Sequence, residues 1–521
     1  MAVPTATSLK DIYTDDALEA QTKRWEYFLT TFKSEYGQQA NFVSRSPGRV
    51  NLIGEHIDYS LYEVLPMAVE VDIILAVAVQ PSSGSLKIRI SNVDSEKFEK
   101  REFEVPDDGD ITIDATSLEW SNYFKSGLRA GLQLLQKKGS KSELPSMDIL
   151  VDGTVPSGGG LSSSAAFVCA SALAVLKACG EENVDKKELV ELAVVSERAV
   201  GVNSGGMDQS ASVFGQRGSA LYVSFKPTLS ATPIPVPTTD PEITFVVAQS
   251  FVAADKHTSG PVCYNLRVVE TSLAAVFLAK IFRLKELPKD SAPLGVSLRS
   301  FHDAYFEKHE GIEDNTKTSA EELHSQLQQL SQLVEDYLVQ EEGYTRDQIS
   351  EILGTSVDDL NERYTSTFPV RAERFMLRQR AMHVFNEAIR VHQFKGLLSE
   401  PPSGEGAANA SLQKALGALM NETQDSCRDV YDCSCPELDE LCRIARSAGS
   451  YGSRLTGAGW GGCTVHLVPK DKVEAVKAAW ETKYYRARWP DISEERLKEA
   501  IVVSKPSSGS VVFKVTGDSV V

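Results

Sequence analysis

One segment in the first half of the chain passes from alternating to continuous hydrophobic positions. Met147, Ile149 and Val151 occupy every second position of a short run, and this period is typical of a β-strand. The run from Ala165 to Lys177 is rich in alanine and other apolar residues, which favours a buried helix. We therefore predict that the residues between these runs form a turn from a strand into the N-terminus of a helix.

Strand and helix patterns follow one another along most of the sequence. The predicted strands cover 73–79, 86–90, 219–225, 243–249 and 463–468, and the tail 500–521 is mostly strand-like. The predicted helices cover 8–36, 120–136, 186–201 and much of 268–392. A chain of 521 residues is longer than one ordinary core supports. We predict two domains, 1–240 and 241–521, divided near a Pro- and Thr-rich linker or edge segment, with a surface insertion of helices around 280–345.

The turn before the alanine-rich helix has the composition of an anion-binding loop. Its residues are Gly158, Gly159, Gly160, Leu161, Ser162, Ser163 and Ser164. Glycines let a ligand approach the backbone, and a helix N-terminus offers unpaired N–H groups and the positive end of the helix dipole. A phosphate suits such a site. The alternative, a flexible linker, is disfavoured by the apolar runs on both sides.

Two common nucleotide-binding motifs do not describe this loop. No lysine follows the glycines, as a Walker A loop requires. The glycine-rich loop, catalytic loop and metal-binding motif of protein kinases do not occur together in the chain.

The composition and net charge of the chain argue against some classes of function. The formal net charge is −18, which argues against extensive nucleic-acid binding but leaves room for ATP at a local site. No apolar run has the length of a membrane span, and residues 1–10 lack the features of a secretion signal. We therefore expect a cytoplasmic protein that binds neither membranes nor nucleic acids.

Four of the eight cysteines lie close together, at Cys427, Cys433, Cys435 and Cys442. Their spacing matches no common zinc motif. Reduced thiols packed on helices are the favoured interpretation, and a metal cluster is the alternative.

A second polar segment is unusually rich in hydrogen-bonding side chains. Arg49, Glu55, His56 and Asp58 lie within ten residues of one another, on segments interrupted by glycine. A site for a polyhydroxylated ligand must offer a partner to each hydroxyl. The alternative is a surface loop with ordinary ion pairs.

Two further carboxylates occur at positions where a ligand or an ordinary structural role would explain them. Glu197 shares a helical row with Ala193 and Val200, and a carboxylate among apolar neighbours needs a cation or a route to solvent. Asp208 follows the glycine-containing turn 201–206, where it would face a ligand or cap the following helix.

A third glycine-rich segment, 453–463, contains the spacing Gly-x-Gly-x-x-Gly. A dinucleotide-binding fold requires a helix after this motif. The pattern that follows, Cys463 to Val468, is that of a strand, so we reject the dinucleotide-binding interpretation.

Together the three segments resemble one enzyme family. The string from Gly48 to Tyr59 closely resembles the galactokinase signature, and the segment 156–166 matches a motif of the superfamily of galactokinase, homoserine kinase, mevalonate kinase and phosphomevalonate kinase. The length of the chain and the residues of its motifs resemble those of the fungal galactokinases. The resemblance covers roughly residues 40–515, except for the helical insertion. It implies an α/β fold of the α+β type, with two mixed domains and an active site in the cleft between them.

The resemblance also implies a reaction and a set of residue roles. ATP would phosphorylate the C1 hydroxyl of α-D-galactose, the first committed step of galactose catabolism. Arg49 and Asp208 would be catalytic, with Asp208 as the proton acceptor. The predicted sugar contacts are Arg49, Glu55, His56, Asp58, Gly205, Asp208 and Tyr264. The predicted ATP contacts are Trp120, which would stack on adenine, and the loop Gly158, Gly159, Gly160, Leu161, Ser162, Ser163 and Ser164. Ser164 and Glu197 would hold Mg²⁺.

Some of these roles have structural alternatives, and some family members differ in function. Trp120 would serve equally as a core residue, and Tyr264 matches the family more loosely. One rival function is a non-catalytic galactose and ATP sensor that binds a transcriptional-inhibitor protein, and another is an N-acetylgalactosamine kinase. Such sensors lack a Ser-Ala pair of the central motif, whereas this chain keeps Ser162 to Ala166 intact. We therefore favour the enzyme.

Overall fold

A computed structural model describes residues 1–80, 86–106, 111–114, 119–139, 144–156, 160–198, 205–252, 260–366, 370–401 and 407–515. The strands along these ranges are β1 (Thr5–Ala6), β2 (Phe42–Ile53), β3 (Leu65–Gln80), β4 (Lys87–Asn92), β5 (Arg101–Glu104), β6 (Ser146–Gly153), β7 (Ser219–Ser224), β8 (Ser230–Pro235), β9 (Ile243–Gln249), β10 (Gly452–Thr456), β11 (Cys463–Pro469), β12 (Ile501–Ser504) and β13 (Val511–Lys514).

The helices of the first half are α1 (Asp15–Tyr36), α2 (Ser121–Lys137), α3 (Ser163–Ala178), α4 (Lys186–Arg198) and α5 (Met207–Phe214). Those of the second half are α6 (Tyr264–Ile281), α7 (Leu298–Glu310), α8 (Ala320–Tyr337), α9 (Arg346–Leu353), α10 (Val357–Tyr364), α11 (Leu377–Ser399), α12 (Ala407–Asp429), α13 (Pro436–Ala448), α14 (Val473–Trp480), α15 (Arg486–Arg488) and α16 (Glu494–Ala500). The mixed helix and sheet fold that we predicted is confirmed.

The larger sheet has the strand order β1-β13-β2-β3-β6-β4-β5. β2, β3 and β6 are antiparallel neighbours, β4 runs parallel to β6, and β13 pairs antiparallel with β2. β13 consists of residues near the end of the sequence. The larger sheet is therefore complete only when this late segment has paired with β1 and β2. The division into domains near residue 240 stays a prediction.

Each face of this sheet has its own hydrophobic layer, because successive strand residues point to opposite faces. Ile74, Ala76 and Ala78 of β3 pack with Trp25 and Phe28 of α1. Leu75 and Val77 lie in the larger core, which also contains the apolar residues of α2 and α3. The predicted helix at 8–36 begins later than expected, at Asp15, and Ser8 instead caps a short 3-10 turn at Leu9–Asp11.

The smaller sheet, β10-β11-β9-β12, is antiparallel throughout. One face packs on α13 and on the segment 473–485 through a cluster that includes Val246, Leu441 and Trp480. The segment 227–241 was predicted as a linker or an edge, and the edge interpretation holds for residues 230–235, which form β8 and pair with β7 in a two-stranded sheet. Along the described ranges, no helix combines the length and apolarity needed to cross a bilayer.

Candidate active site

Three residues predicted from separate motifs meet at one point. β2 presents Arg49, Asp208 lies in the first turn of α5, and Ser162 precedes α3. The Arg49 Nε and Nη2 atoms both lie 2.7 Å from Asp208 Oδ1. The Ser162 hydroxyl donates to Asp208 Oδ2 at 2.6 Å. Arg49 therefore neutralises a carboxylate whose second oxygen is held by the glycine-rich loop.

The glycine-rich loop is anchored to the same arginine. Arg49 Nη1 donates to the Gly160 carbonyl at 2.7 Å, and the Arg49 N–H donates to the Leu161 carbonyl at 3.1 Å. Ser162 occupies the N-cap position of α3, as predicted, but its side chain makes no capping hydrogen bond. Its φ of 58° turns the hydroxyl to Asp208 instead. Gly158 and Gly159 lie outside the described residues.

The third glycine segment packs directly against this loop. A Cβ on Gly457 would lie 2.7 Å from the Gly160 carbonyl oxygen, and a Cβ on Gly160 would lie 2.8 Å from that of Thr456. Both glycines have positive φ. Since β11 follows the segment, the rejection of a dinucleotide-binding motif is confirmed.

Asp58 and Tyr264 lie beside the catalytic candidates. The Gly205 N–H donates to Asp58 Oδ2 at 3.1 Å. Burial raises the pKa of Asp58, and the negative charge of Asp208 raises it further. Burial also raises the pKa of Tyr264, with smaller contributions from Asp58 and Asp208. Asp58, Asp208 and Tyr264 therefore share one acidic region, in which Asp58 is buried and the other two are partly buried.

His56 connects the sugar signature to aromatic residues from the second half of the chain. Its Nε2 lies 3.0 Å from the Ala458 carbonyl oxygen and its Nδ1 3.0 Å from the Tyr59 hydroxyl. The ring centroid lies 5.5 Å from that of Tyr264 and 5.8 Å from that of Trp460. Because a carbonyl can only accept, Nε2 carries a proton.

The carboxylate of Glu55 has a buried partner that the sequence interpretation missed. Arg454 of β10 donates from Nη2 to Glu55 Oε2 and from Nη1 to the Asn51 carbonyl, the latter at 3.0 Å. Burial raises the pKa of Glu55, and Arg454 opposes that rise. No local feature of the sequence indicates this role for Arg454.

Trp120 lines a cleft of about 710 Å³ together with Tyr123, Ser163, Ser164 and Phe167. Its ring is nearly parallel to that of Phe167, with an interplanar angle of 11° and centroids 6.2 Å apart. The indole N–H donates to the Glu99 carbonyl at 3.0 Å. The cleft therefore has an aromatic wall at one side and the first turn of α3 at another.

Glu197 is buried, with 1% of its surface exposed, so the alternative of a carboxylate reaching solvent is wrong. Gln209, the neighbour of Asp208, donates a hydrogen bond to it. Burial raises the pKa of Cys169 on α3, and the charges of Glu197 and Asp208 raise it further. Glu197 thus lies on the Asp208 side of α3.

Two of the predicted site residues offer oxygen atoms of the kind that Mg²⁺ prefers. Mg²⁺ commonly takes one or two protein oxygens and completes its shell with water and substrate phosphates. The Glu197 carboxylate and the Ser164 hydroxyl are oxygens of this kind. Among the described residues there is no cluster of three or more His, Cys, Asp or Glu that would form a dedicated metal cage.

The clustered cysteines are free thiols, as the favoured interpretation predicted, but only Cys427 and Cys442 lie on helices. Cys427, Cys433 and Cys442 are fully buried. The Cys433 carbonyl accepts a hydrogen bond from the Trp460 N–H at 2.8 Å, so this segment supports the third glycine loop.

Comparisons with known proteins agree with the geometry. Three family descriptions match the chain: the galactokinase galactose-binding signature over residues 30–79, the N-terminal domain of GHMP kinases over 122–216, and the C-terminal domain of GHMP kinases over 407–487.

Curated relatives match over almost their whole length. The chain is 43% identical to a galactokinase of Saccharomyces cerevisiae over 501 residues, covering 94% of each chain. It is 40% identical to one of Schizosaccharomyces pombe over 503 residues, covering 94% of this chain and 95% of the relative. The fold resembles the crystal structure of Lactococcus lactis galactokinase complexed with galactose, with a TM-score of 0.64, 24% identity, and coverage of 94% and 100%.

Proposed function

The chain belongs to the galactokinase family, and we propose that it transfers the γ-phosphoryl group of ATP to the C1 hydroxyl of α-D-galactose. The observation that carries the proposal is the contact of Arg49, Asp208 and Ser162, where the sugar signature meets the glycine-rich loop. A sugar hydroxyl and a terminal phosphate would be brought together at this point. The products would be galactose 1-phosphate and ADP.

Asp208 and Arg49 would act on the reacting atoms. Asp208 would orient the C1 hydroxyl and accept its proton, which requires the Ser162 hydroxyl to give up part of its hold on Oδ2. Arg49 would neutralise the charge that develops on the transferred group. Because Arg49 also binds the Gly160 carbonyl, the same side chain positions the loop that would hold the phosphates.

The sugar would be held by Glu55, His56, Asp58, Gly205 and Tyr264. Asp58, Gly205 and Tyr264 lie around Asp208, as the hydrogen bond and the shared rise in pKa indicate. A site that binds each hydroxyl with a buried polar group rejects analogues that lack one, because a buried group is then left without a partner.

The nucleotide would occupy the cleft beside Trp120. The adenine ring would stack on that aromatic wall, and the phosphates would contact the loop from Gly158 to Ser164 at the N-terminus of α3. Ser164 and Glu197 would hold Mg²⁺, which, when bound, offsets the charge of the β- and γ-phosphates.

The rival functions have less support. Ser162, which belongs to the motif altered in sensors, contacts Asp208 here. A transcriptional-inhibitor partner stays a prediction. We place the enzyme in the cytoplasm, where reducing conditions would keep its free thiols reduced.

The proposal is tested by measuring ADP release by the purified protein supplied with ATP and Mg²⁺. The assay compares galactose, N-acetylgalactosamine and glucose as the sugar. We expect turnover with galactose and a product phosphorylated at C1, identified by phosphorus NMR. Binding of galactose without turnover would identify a sensor. Faster turnover with N-acetylgalactosamine would identify that sugar as the substrate.

A further inference from the structure

Two side chains of helix α11 form hydrogen bonds with the turn that carries Glu55. His383 and Glu387 are one helical turn apart and therefore lie on the same face. Neither side chain has any exposed surface. Both are directed at the backbone of the turn 54–56, more than 300 residues earlier in the chain.

The two side chains bind both sides of the same peptide segment. Glu387 Oε1 accepts hydrogen bonds from the Gly54 N–H at 2.8 Å and from the Glu55 N–H at 3.2 Å. His383 Nε2 donates to the Glu55 carbonyl at 2.9 Å. The donor and the acceptor of Glu55 are thus both held by one helix.

This turn has a backbone that requires such support. Gly54 has a φ of 101° and His56 a φ of 61°. A residue other than glycine at positive φ is strained and persists only where its surroundings hold it. Since Glu55 lies between these two residues, the direction of its side chain depends on both.

His383 and Glu387 together form a clamp on the turn 54–56. The second carboxylate oxygen of Glu387 is held by further hydrogen bonds. Glu387 Oε2 accepts from Arg390 Nε at 2.8 Å and from the Thr423 hydroxyl at 2.9 Å. Burial raises the pKa of Glu387, but Arg390 and other neighbours lower it overall to about 2. Glu387 is therefore a carboxylate with every lone pair directed at a donor.

His383 is held in one tautomer. Burial lowers its pKa to about 3, so the ring is neutral near pH 7. Because Nε2 faces a carbonyl and must carry the single proton, Nδ1 accepts from the Ser426 hydroxyl at 2.8 Å. The contact to Glu55 therefore remains a donor contact throughout the neutral range.

We propose that His383 and Glu387 are positioning residues for sugar binding, which hold the 54–56 turn so that Glu55 and His56 meet the galactose hydroxyls. The inference rests on the proposed function, because it assumes that these two side chains face the sugar. It predicts that damage to the clamp weakens galactose binding much more than ATP binding.

The first test is Glu387→Gln. A glutamine can present its oxygen to the turn only by directing its NH₂ group at Arg390, which can only donate, and at Thr423, whose hydroxyl would have to turn and accept. We expect the galactose Kd and KM to rise about tenfold, or about 1.4 kcal/mol, with a smaller fall in kcat. The KM for ATP should stay within about twofold, because the nucleotide cleft does not contact the turn.

The second test uses His383 and does not depend on a change of charge. His383→Leu removes the donor to the Glu55 carbonyl and should raise the galactose Kd about tenfold. His383→Gln keeps a donor near the Nε2 position and should restore much of the affinity. If His383 had a purely structural role, its variants would lose thermal stability, and His383→Gln would not recover the affinity for galactose.

Asp148→Asn is the matched control. Asp148 is a buried carboxylate with an arginine partner, Arg89, at 2.6 Å. It pairs with Ala78 at one end of β3, whereas Ile53, next to the turn, pairs with Leu65 at the other end. Folded variants of the clamp that bind galactose as the wild type does would overturn the proposal. So would an equal loss of galactose affinity in Asp148→Asn. If Glu387→Gln does not fold, the pair of His383 variants decides. Absence of galactose binding by the wild type would instead refute the proposed function.

Discussion

Asp208→Asn removes the charge at the centre of the site while keeping its shape. The asparagine oxygen can still accept from Arg49, and its NH₂ group can donate to the Ser162 oxygen, because a hydroxyl both donates and accepts. The contacts of Asp208 with Arg49 and Ser162 therefore have counterparts in the variant. What is lost is the negative charge and the capacity to accept a proton.

The magnitude follows from that loss. A positioned general base contributes about 10²–10⁴ in rate, which at about 1.36 kcal/mol per tenfold corresponds to about 2.7–5.4 kcal/mol of barrier. Galactose and ATP affinity should change by no more than about threefold, since the contacting atoms remain in place. Asp208 is 17% exposed, so we expect a modest loss of stability from the missing ion pair.

The assay is the initial rate of ADP release at saturating ATP and galactose, with galactose affinity measured separately by calorimetry. Asp303→Asn is the control, because Asp303 also pairs with an arginine, Arg299 at 3.1 Å, but lies on α7. A kcat for Asp208→Asn above one tenth of the wild-type value would refute the role of Asp208. A similar fall in the kcat of both variants would show that the lower rate comes from disturbed folding.

Three further changes test other parts of the molecule. Glu197→Gln should lower the rate in a way that added Mg²⁺ partly restores, and a rate that does not respond to Mg²⁺ would remove Glu197 from the metal site. Trp120→Ala should raise the KM for ATP about tenfold through lost base stacking and leave the galactose KM unchanged; equal changes in both would contradict a nucleotide role. Burial lowers the pKa of His302 from its usual 6.5 to about 4, so its neutral form stabilises the fold fully above pH 6.5 and progressively less as pH falls towards 4. Urea unfolding should therefore show that the stability lost in His302→Gln is smaller by about 2 kcal/mol at pH 5.0 than at pH 7.5, whereas an equal loss at both pH values would disprove the shift.

Local sequence patterns were sufficient for much of this molecule. The strand β6 and the helix α3 follow from hydrophobic periodicity, and the loop between them from its glycines. The strand after the third glycine segment was predicted from its apolar and β-branched residues. These features depend on residues that are neighbours in the chain, which is why a single sequence reveals them.

The remaining features depend on contacts between distant residues. A strand pattern does not state which strand lies beside it, so the pairing of β13 with β2 was not foreseen. Arg454 and Glu55 are 399 positions apart, and nothing near either residue indicates its partner. The hydrogen bond from the Ser162 hydroxyl to Asp208 was not foreseen, because it depends on the positive φ of Ser162. Predicting that contact needs the backbone conformation as well as the residue type.

The place of β13 in the larger sheet has a consequence for synthesis of the protein on the ribosome. β13 lies between β1 and β2, so the β2 edge from Phe42 to Arg45 has no neighbour on that side until Val511–Lys514 has been made. At about 5–20 residues per second, translation of the intervening chain takes roughly 25–95 s. During that time this strand edge is open to pairing with other nascent chains. We expect the growing polypeptide to need chaperone protection until its last strand emerges.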